Sequence, residues 1–222
     1  MLENARRQKQ FITDASHELK TPITVIATSL TVLEMEVGRQ KWIDKAMAQT
    51  EKLKNLVNSL VTLSRMDEED TPLNFSLFNV SDAVRETAES FDDFAKSKGL
   101  ALSFSITPDI SYCGDEYAIR QLVSILLDNA IKYAREGTEI SFFLKGTAKG
   151  IVLGTSNTCA SEIPKNPNKL FDRFYRADES RNSSTGGFGI GLSIAKSIAE
   201  GHHGNVHAEV SGDQITFTAE LK

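Results

Sequence analysis

Two long amphipathic runs at the start of the chain set the strongest limit on what it can fold into. In the first, Leu19, Ile23, Ile26, Leu30, Leu33 and Val37 recur at steps of three and four. In the second, Ile43, Ala46, Thr50, Leu53, Val57 and Leu60 do the same. This is helical spacing of the heptad type, with polar residues between the apolar ones. Gly38-Arg39-Gln40 separates the runs, and so short a connection predicts antiparallel neighbours. One such hairpin carries a narrow apolar stripe that it cannot bury alone. Two hairpins can bury it in a four-helix bundle, so the spacing predicts a homodimer.

The pattern stops at Met66-Asp67-Glu68-Glu69-Asp70-Thr71-Pro72, where acidic residues followed by proline read as a linker. The predicted division is a helical hairpin over 1–66, a linker over 67–73 and a second domain over 74–222. In that domain Ser81 is expected to cap a helix running to about residue 98, with Val84, Ala88, Phe91 and Ala95 inward. Residues 100–106 alternate like a strand. A helix is predicted over 116–135, then paired strands over 139–144 and 150–156. A polar stretch over 164–185 precedes a helix over 189–201. Strands over 206–210 and 214–221 form a hairpin through Ser211-Gly212-Asp213. The expected class is α+β with two domains, the second an α/β sandwich with a mixed sheet and its helices on one face.

Composition excludes several classes. Of 222 residues, 40% are hydrophobic and 25% charged, an ordinary globular balance. A net charge of −5 gives no global pull toward nucleic acid or anionic membrane. Cys113 and Cys159 have no C-x-x-C spacing, which argues against a disulfide scaffold or a zinc site and fits a reduced cytosolic setting. No apolar run approaches the ~20 residues of a membrane helix. The polar, basic opening is unlike a signal peptide, so this portion of the chain reads as soluble.

The segment Phe11-Ile12-Thr13-Asp14-Ala15-Ser16-His17-Glu18-Leu19-Lys20-Thr21-Pro22 places His17 on a helix with Asp14 three residues before it and Thr21 four after. Such neighbours share a face. Glu18 lies about 100° round the helix and flanks the ring. Neutral imidazole is a good nucleophile near neutral pH, and a carboxylate beside it can take its proton or hold its tautomer. Pro22 removes a helix hydrogen bond and is expected to bend the helix just after the site.

A second cluster is Leu126-Leu127-Asp128-Asn129-Ala130-Ile131-Lys132-Tyr133. On a helix Asn129, Lys132 and Tyr133 share a face. An amide oxygen suits Mg²⁺, a lysine one turn on reaches phosphate, and an aromatic ring can line a base or ribose. A third is Gly186-Gly187-Phe188-Gly189-Ile190-Gly191-Leu192 at the opening of a helix, where free N–H groups and the positive dipole end favour a triphosphate. Its spacing matches neither the Rossmann nor the P-loop pattern.

Together these strings resemble the sensor histidine kinases of bacterial two-component systems. The His17 segment resembles that family's H box almost residue for residue, the Asn129 segment its N box, and the Gly187–Gly191 segment its second glycine box. Phe171-Asp172-Arg173-Phe174-Tyr175-Arg176-Ala177-Asp178 resembles the F box at the base of a lid over ATP. The resemblance implies a Bergerat-type ATP-binding domain, shared with gyrase and Hsp90, that uses ATP and Mg²⁺. It implies that His17 is the phosphoacceptor, Glu18 its base and Thr21 a positioner of water in dephosphorylation. Asn129 would hold Mg²⁺, Gly187, Gly189, Gly191, Leu192 and Lys132 the phosphates, and Arg176, with Arg181 as a further candidate, the γ-phosphate. The implied partner is the receiver domain of a response regulator. The implied location is the cytoplasmic portion of a parent anchored in the membrane through an N-terminal sensor region.

Two departures accompany the resemblance. Ile125 stands where many members carry another asparagine. The first glycine box, usually D-x-G-x-G, is here Asn157-Thr158-Cys159-Ala160-Ser161. Asn157 falls at the aspartate that reads the adenine amino group. It can still accept that hydrogen bond, but without the charge-assisted part, worth roughly 1–2 kcal/mol or about tenfold in affinity. Cys159 reads as a small half-buried residue. His202, His203 and His207 read as exposed imidazoles near a turn rather than a metal site. The alternative function is a nucleotide-responsive scaffold that binds a regulator without transferring phosphate.

Overall fold

The computed structural model describes residues 2–38, 40–66, 73–160, 163–175 and 189–222. The chain divides into two compact units, Met1–Thr71 and Pro72–Lys222.

The first unit is a pair of helices, α1 (Leu2–Val37) and α2 (Lys41–Met66). Gly38, with φ +75°, ends α1 in the left-handed region where a side chain would be strained. The helices bury only part of the predicted stripe. Ile23, Ile43 and Val57 are at most 5% exposed, whereas Leu19, Ile26, Leu33, Val37 and Leu53 remain 42–51% exposed. The side chain of Leu60 lies outside the described residues. Thr24, Thr28, Thr31 and Thr50 each return their hydroxyl to the carbonyl four residues back, which satisfies a polar group inside a helix. The helix runs through Pro22, which has no N–H to give the Glu18 carbonyl.

The second unit opens with β1 (Ser76–Asn79), α3 (Val80–Glu89), α4 (Asp92–Ser97), β2 (Ala101–Ile106) and β3 (Ser111–Gly114). Then come α5 (Glu116–Tyr133), β4 (Glu139–Thr147), β5 (Gly150–Thr158), a 3-10 turn (Pro167–Phe171), α6 (Gly191–Gly201), β6 (Asn205–Ser211) and β7 (Gln214–Leu221). Five strands form one sheet in the order β2-β4-β5-β7-β6, and β1 pairs with β3 in a two-stranded ribbon. β2 and β4 are parallel and the other pairs antiparallel. The parallel pair needs a long crossover, and α5 lies within it. One face of the sheet is buried by alternate residues: Ile140, Phe142 and Leu144 of β4, Ile151 and Leu153 of β5, Ile215, Phe217, Ala219 and Leu221 of β7. Against this apolar face pack helices whose own buried stripes are Ile119, Leu122, Leu126 and Ala130 of α5, and Ile194, Ala195 and Ile198 of α6. The expected mixed sheet with helices on one face is the observed arrangement.

Three expectations are corrected. The helix expected from Ser81 to about residue 98 is two helices, and Ser81 is not its cap. Asn79 caps α3, its Oδ1 accepting the Asp82 N–H at 3.2 Å. Ser81 instead bridges the 107–110 loop, donating to the Thr107 carbonyl at 2.7 Å and accepting the Ile110 N–H at 3.0 Å. The break follows Glu89, where Ser90 donates its hydroxyl to the Thr87 carbonyl at 2.7 Å, a local bond that competes with the helix. β1 and β3 were not expected, because four residues each is too short for alternation to register. The exposed-imidazole reading fails for His202, which is fully buried, while His203 is exposed and His207 half-buried.

Candidate functional site

Three elements of the second unit converge on one region. α5 begins at Asp115, whose carboxylate accepts the Ala118 N–H at 2.9 Å and the Asn74 N–H at 2.9 Å. Its buried stripe on the sheet leaves Asp128, Asn129, Lys132 and Tyr133 on its partly exposed side. The end of β5 is tied to the end of α5 by backbone bonds. The Arg135 N–H donates to the Thr158 carbonyl at 2.8 Å, and the Ala160 N–H to the Tyr133 carbonyl at 3.0 Å. Arg135 reinforces this junction with an ion pair to Asp213 at 3.0 Å and a bond to the Cys159 carbonyl at 3.3 Å. The start of α6 lies against α5: a Cβ added at Gly191 would sit 3.6 Å from Cγ2 of Ile125, one turn before Asn129.

α6 opens without a side-chain cap, so among the described residues the N–H groups of its first turn have no intrahelical or capping partner. The chain enters it through Gly189, at φ +70°, where a Cβ would meet the Tyr175 carbonyl oxygen at 2.7 Å. The Phe174 N–H donates to the Gly189 carbonyl at 2.8 Å. That bond holds Phe174 against Gly189. Phe171 anchors the same region by an edge-on contact with Phe217, with ring centroids 5.9 Å apart. Asn168 accepts the Ala208 N–H at 2.9 Å and fastens the 3-10 turn to β6.

The electrostatics at α5 are local. Lys132 Nζ lies 2.5 Å from Asp128 Oδ2, one turn back, so its ammonium is engaged within the helix. Asn129 is half-buried and its amide has no hydrogen-bond partner among the described residues. Mg²⁺ takes few protein ligands and keeps waters and phosphate oxygens, so a single free amide oxygen fits it. Among the described residues no cluster of three or more His, Cys, Asp or Glu side chains is placed to hold a metal on its own.

On β5, Thr155 and Asn157 occupy the inward positions after Ile151 and Leu153. Asn157 lies between Ile140 and Ile215 on the neighbouring strands, and Thr155 between Phe142 and Phe217. Thr155 is 0% and Asn157 1% exposed, yet Thr155 Oγ1 and Asn157 Oδ1 have no hydrogen-bond partner. Leaving a buried polar atom unpaired costs about 1–3 kcal/mol. Two such atoms on one strand face could each take a hydrogen bond from a bound polar group. Among the described residues Asn157 Nδ2 faces Cys159 Sγ, at 3.9 Å. Burial pushes the Cys159 thiol up, so it carries its proton at neutral pH.

The structure therefore gathers Asn129, Lys132, Tyr133, Asn157, Gly189, Gly191 and Leu192 in one unit. Arg176, Arg181 and Gly187 lie outside the described residues. His17 and Glu18 lie on α1 in the other unit, with Thr21 exposed one turn further along. Sequence reasoning missed Thr155. The available signal was a polar residue at the inward parity of an apolar strand.

The uncapped start of α6, the left-handed Gly189 before it and the two buried, unpartnered oxygens of β5 lie in one α/β sandwich. It is joined to a helical hairpin bearing a histidine. A family model described as "Histidine kinase-, DNA gyrase B-, and HSP90-like ATPase" matches residues 114–222, and one described as "His Kinase A (phospho-acceptor) domain" matches residues 7–69. The chain belongs to the sensor histidine kinases of two-component systems. Over 215 residues it is 37% identical to the sensor protein DltS of Streptococcus agalactiae, covering 97% of this chain and 54% of that protein. It is 31% identical to the sensor protein CiaH of Streptococcus pneumoniae, covering 93% and 47%. The chain thus spans about half the length of these relatives. Among solved structures, the Acinetobacter baumannii histidine kinase AdeS matches with a TM-score of 0.68 at 23% identity, over 93% of this chain and 97% of that one. Full-length ShkA in complex with AMPPNP matches with a TM-score of 0.76 at 19% identity, over 96% of this chain and 46% of that one. These two likenesses bear on the fold.

Proposed function

We propose that this chain transfers the γ-phosphoryl group of ATP to His17, and from there to an aspartate on the receiver domain of a response regulator. The observation that carries the reading is the pair of buried, unpartnered oxygens of Thr155 and Asn157. They lie on the strand whose end is tied to the last turn of α5. A purine base supplies the hydrogen bonds those oxygens lack, and a polyphosphate suits the uncapped start of α6.

In this reading Asn157 accepts the 6-amino group of adenine, and Tyr133 lines the base or ribose. The amides of Gly191 and Leu192, with the loop of Gly187 and Gly189, hold the phosphates. Lys132 adds its charge on leaving Asp128, and Arg176 balances charge on the γ-phosphate. Asn129 holds Mg²⁺, which when bound neutralises phosphate charge. A nitrogen of His17 forms a bond to the γ-phosphorus as the bond from that phosphorus to the β–γ bridging oxygen breaks. ADP leaves with the electron pair, and Glu18 takes the imidazole proton. Thr21, exposed on α1, orients water for hydrolysis of the regulator's aspartyl phosphate as a second activity.

The exposed row of Leu19, Ile26, Leu33, Val37 and Leu53 supports a homodimer in which a second hairpin covers it. The working division is a hairpin over 1–66 and an ATP-binding domain over 74–222, joined by 67–73. The parent protein carries this core on the cytoplasmic side of a membrane-anchored sensor.

Incubation with γ-labelled ATP and Mg²⁺, beside a His17→Gln variant, tests the reading. Acid-labile label on the wild type alone is expected. Absence of label from a folded protein that binds ATP would leave the scaffold alternative standing. Label that persists without His17 would place the acceptor elsewhere.

A further inference from the structure

The base-facing groups of the site share a property that a carboxylate lacks. A carboxylate only accepts hydrogen bonds, so it pairs with a 6-amino purine and repels a 6-oxo one. Asn157 presents an amide, whose two ends differ in polarity but hardly in shape. Turning it by 180° exchanges an acceptor for a donor.

The environment does not resist that turn. Asn157 Oδ1 has no partner at all. Among the described residues the other end faces the Cys159 thiol at 3.9 Å, and a thiol is both a weak donor and a weak acceptor. The flanking Ile140 and Ile215 offer no side-chain polar group to fix an orientation. Thr155, two residues earlier on the same strand face, is equally ambivalent. Its buried hydroxyl has no partner and can rotate to donate to an unprotonated ring nitrogen or accept from a protonated one. Adenine presents a 6-amino donor beside an unprotonated N1. Hypoxanthine and guanine present a 6-oxo acceptor beside N1–H. The amide and the hydroxyl can match either set by rotation alone.

We infer that Asn157 is the residue that sets base specificity, and that with Thr155 and Cys159 around it the site takes 6-oxopurine as well as 6-aminopurine nucleoside triphosphates. The inference rests on the nucleotide-binding reading given above and deepens it. A single Asn157→Asp exchange, nearly the same in size, restores a fixed acceptor and with it selection for adenine.

The test is competition binding on the whole chain with Mg²⁺ and ATP, ITP or GTP, for the wild type and Asn157→Asp. ITP isolates the 6-position, because it lacks the 2-amino group that makes GTP larger. For the wild type, ITP should bind within about tenfold of ATP, whereas Asn157→Asp should widen that ratio by about tenfold or more. A wild type that rejects ITP by about a hundredfold overturns the inference while leaving ATP binding intact. An unchanged ratio in the variant also overturns it, by removing Asn157 from the base. If no nucleotide binds, the nucleotide-binding reading itself falls, and the inference with it. Should Asn157→Asp fail to fold, the wild-type ratio still decides, since it needs no variant.

Discussion

His202 is the residue whose role the tertiary structure changes most. It is fully buried at the end of α6, and its ring joins three parts of the second unit. Nδ1–H donates to the Ile198 carbonyl at 2.8 Å, and Nε2 accepts the Asp115 N–H at 3.0 Å, just before α5. Phe75 and Tyr112 pack on the ring with centroids 5.2 and 6.3 Å away. Nε2 must stay unprotonated to accept. Burial holds the imidazole below its ordinary value, and the charge of His203 adds to this; the Ile198 carbonyl and Asp115 oppose it without prevailing. The stability this group contributes is complete above the unfolded value of about 6.5, and is lost as pH falls through the lower folded value. Urea unfolding at pH 7.5 and 5.5 should therefore show lower stability at 5.5. His202→Gln should cost about 1–3 kcal/mol at pH 7.5 and flatten the difference between the two pH values. Equal pH slopes in the two proteins would refute this account. Gly189 presents a different residue-scale constraint. Placing Ala at its φ of +70° costs about 1–2 kcal/mol in backbone strain, before any contact with the Tyr175 carbonyl is counted. Calorimetry of ATP binding should find Gly189→Ala at least about tenfold weaker, because strain at the hinge also displaces the α6 amides.

At the scale of elements, the hairpin separates two kinds of apolar position that look alike in sequence. Ile23 is 3% exposed and Met35 81% exposed on the same helix. Ile23→Ala should destabilise the first unit by about 2–4 kcal/mol through the cavity it leaves. Met35→Ala should fall within about 0.5 kcal/mol. Thermal unfolding followed by circular dichroism distinguishes the two, and equal losses would mean the helices pack on another face. In the second unit the element boundaries follow side-chain bonds rather than propensity. Asn79 outcompetes Ser81 for the α3 cap because Ser81 is already committed at both ends to the 107–110 loop. That commitment depends on a loop about thirty residues away in sequence, so local reading could not find it.

For the whole molecule, the exposed stripe of the hairpin predicts association. Ile26→Glu with Leu33→Glu, both at positions about half exposed in a single chain, should convert a dimer into a monomer in sedimentation velocity. Helicity of the second unit should persist, since that unit buries its own core between sheet and helices. A monomeric wild type would remove the bundle proposal, whereas a double variant that remains dimeric would move the interface off this face.

The two long amphipathic helices, the longer strands of the second unit and the glycine before α6 were legible from residue pattern, because each depends on neighbours within a turn or two, and the mixed sheet followed from the order of those elements. The register that seats Asn157 between Ile140 and Ile215 was not, nor the isolation of Thr155 Oγ1, nor the burial of His202. Each depends on which distant strand or helix supplies the facing atoms. The sequence by itself determined which side chains the chain carries and how they are spaced along each element. Only the tertiary structure decided which polar groups are left without partners, because hydrogen-bond satisfaction is settled by contacts between segments far apart along the chain.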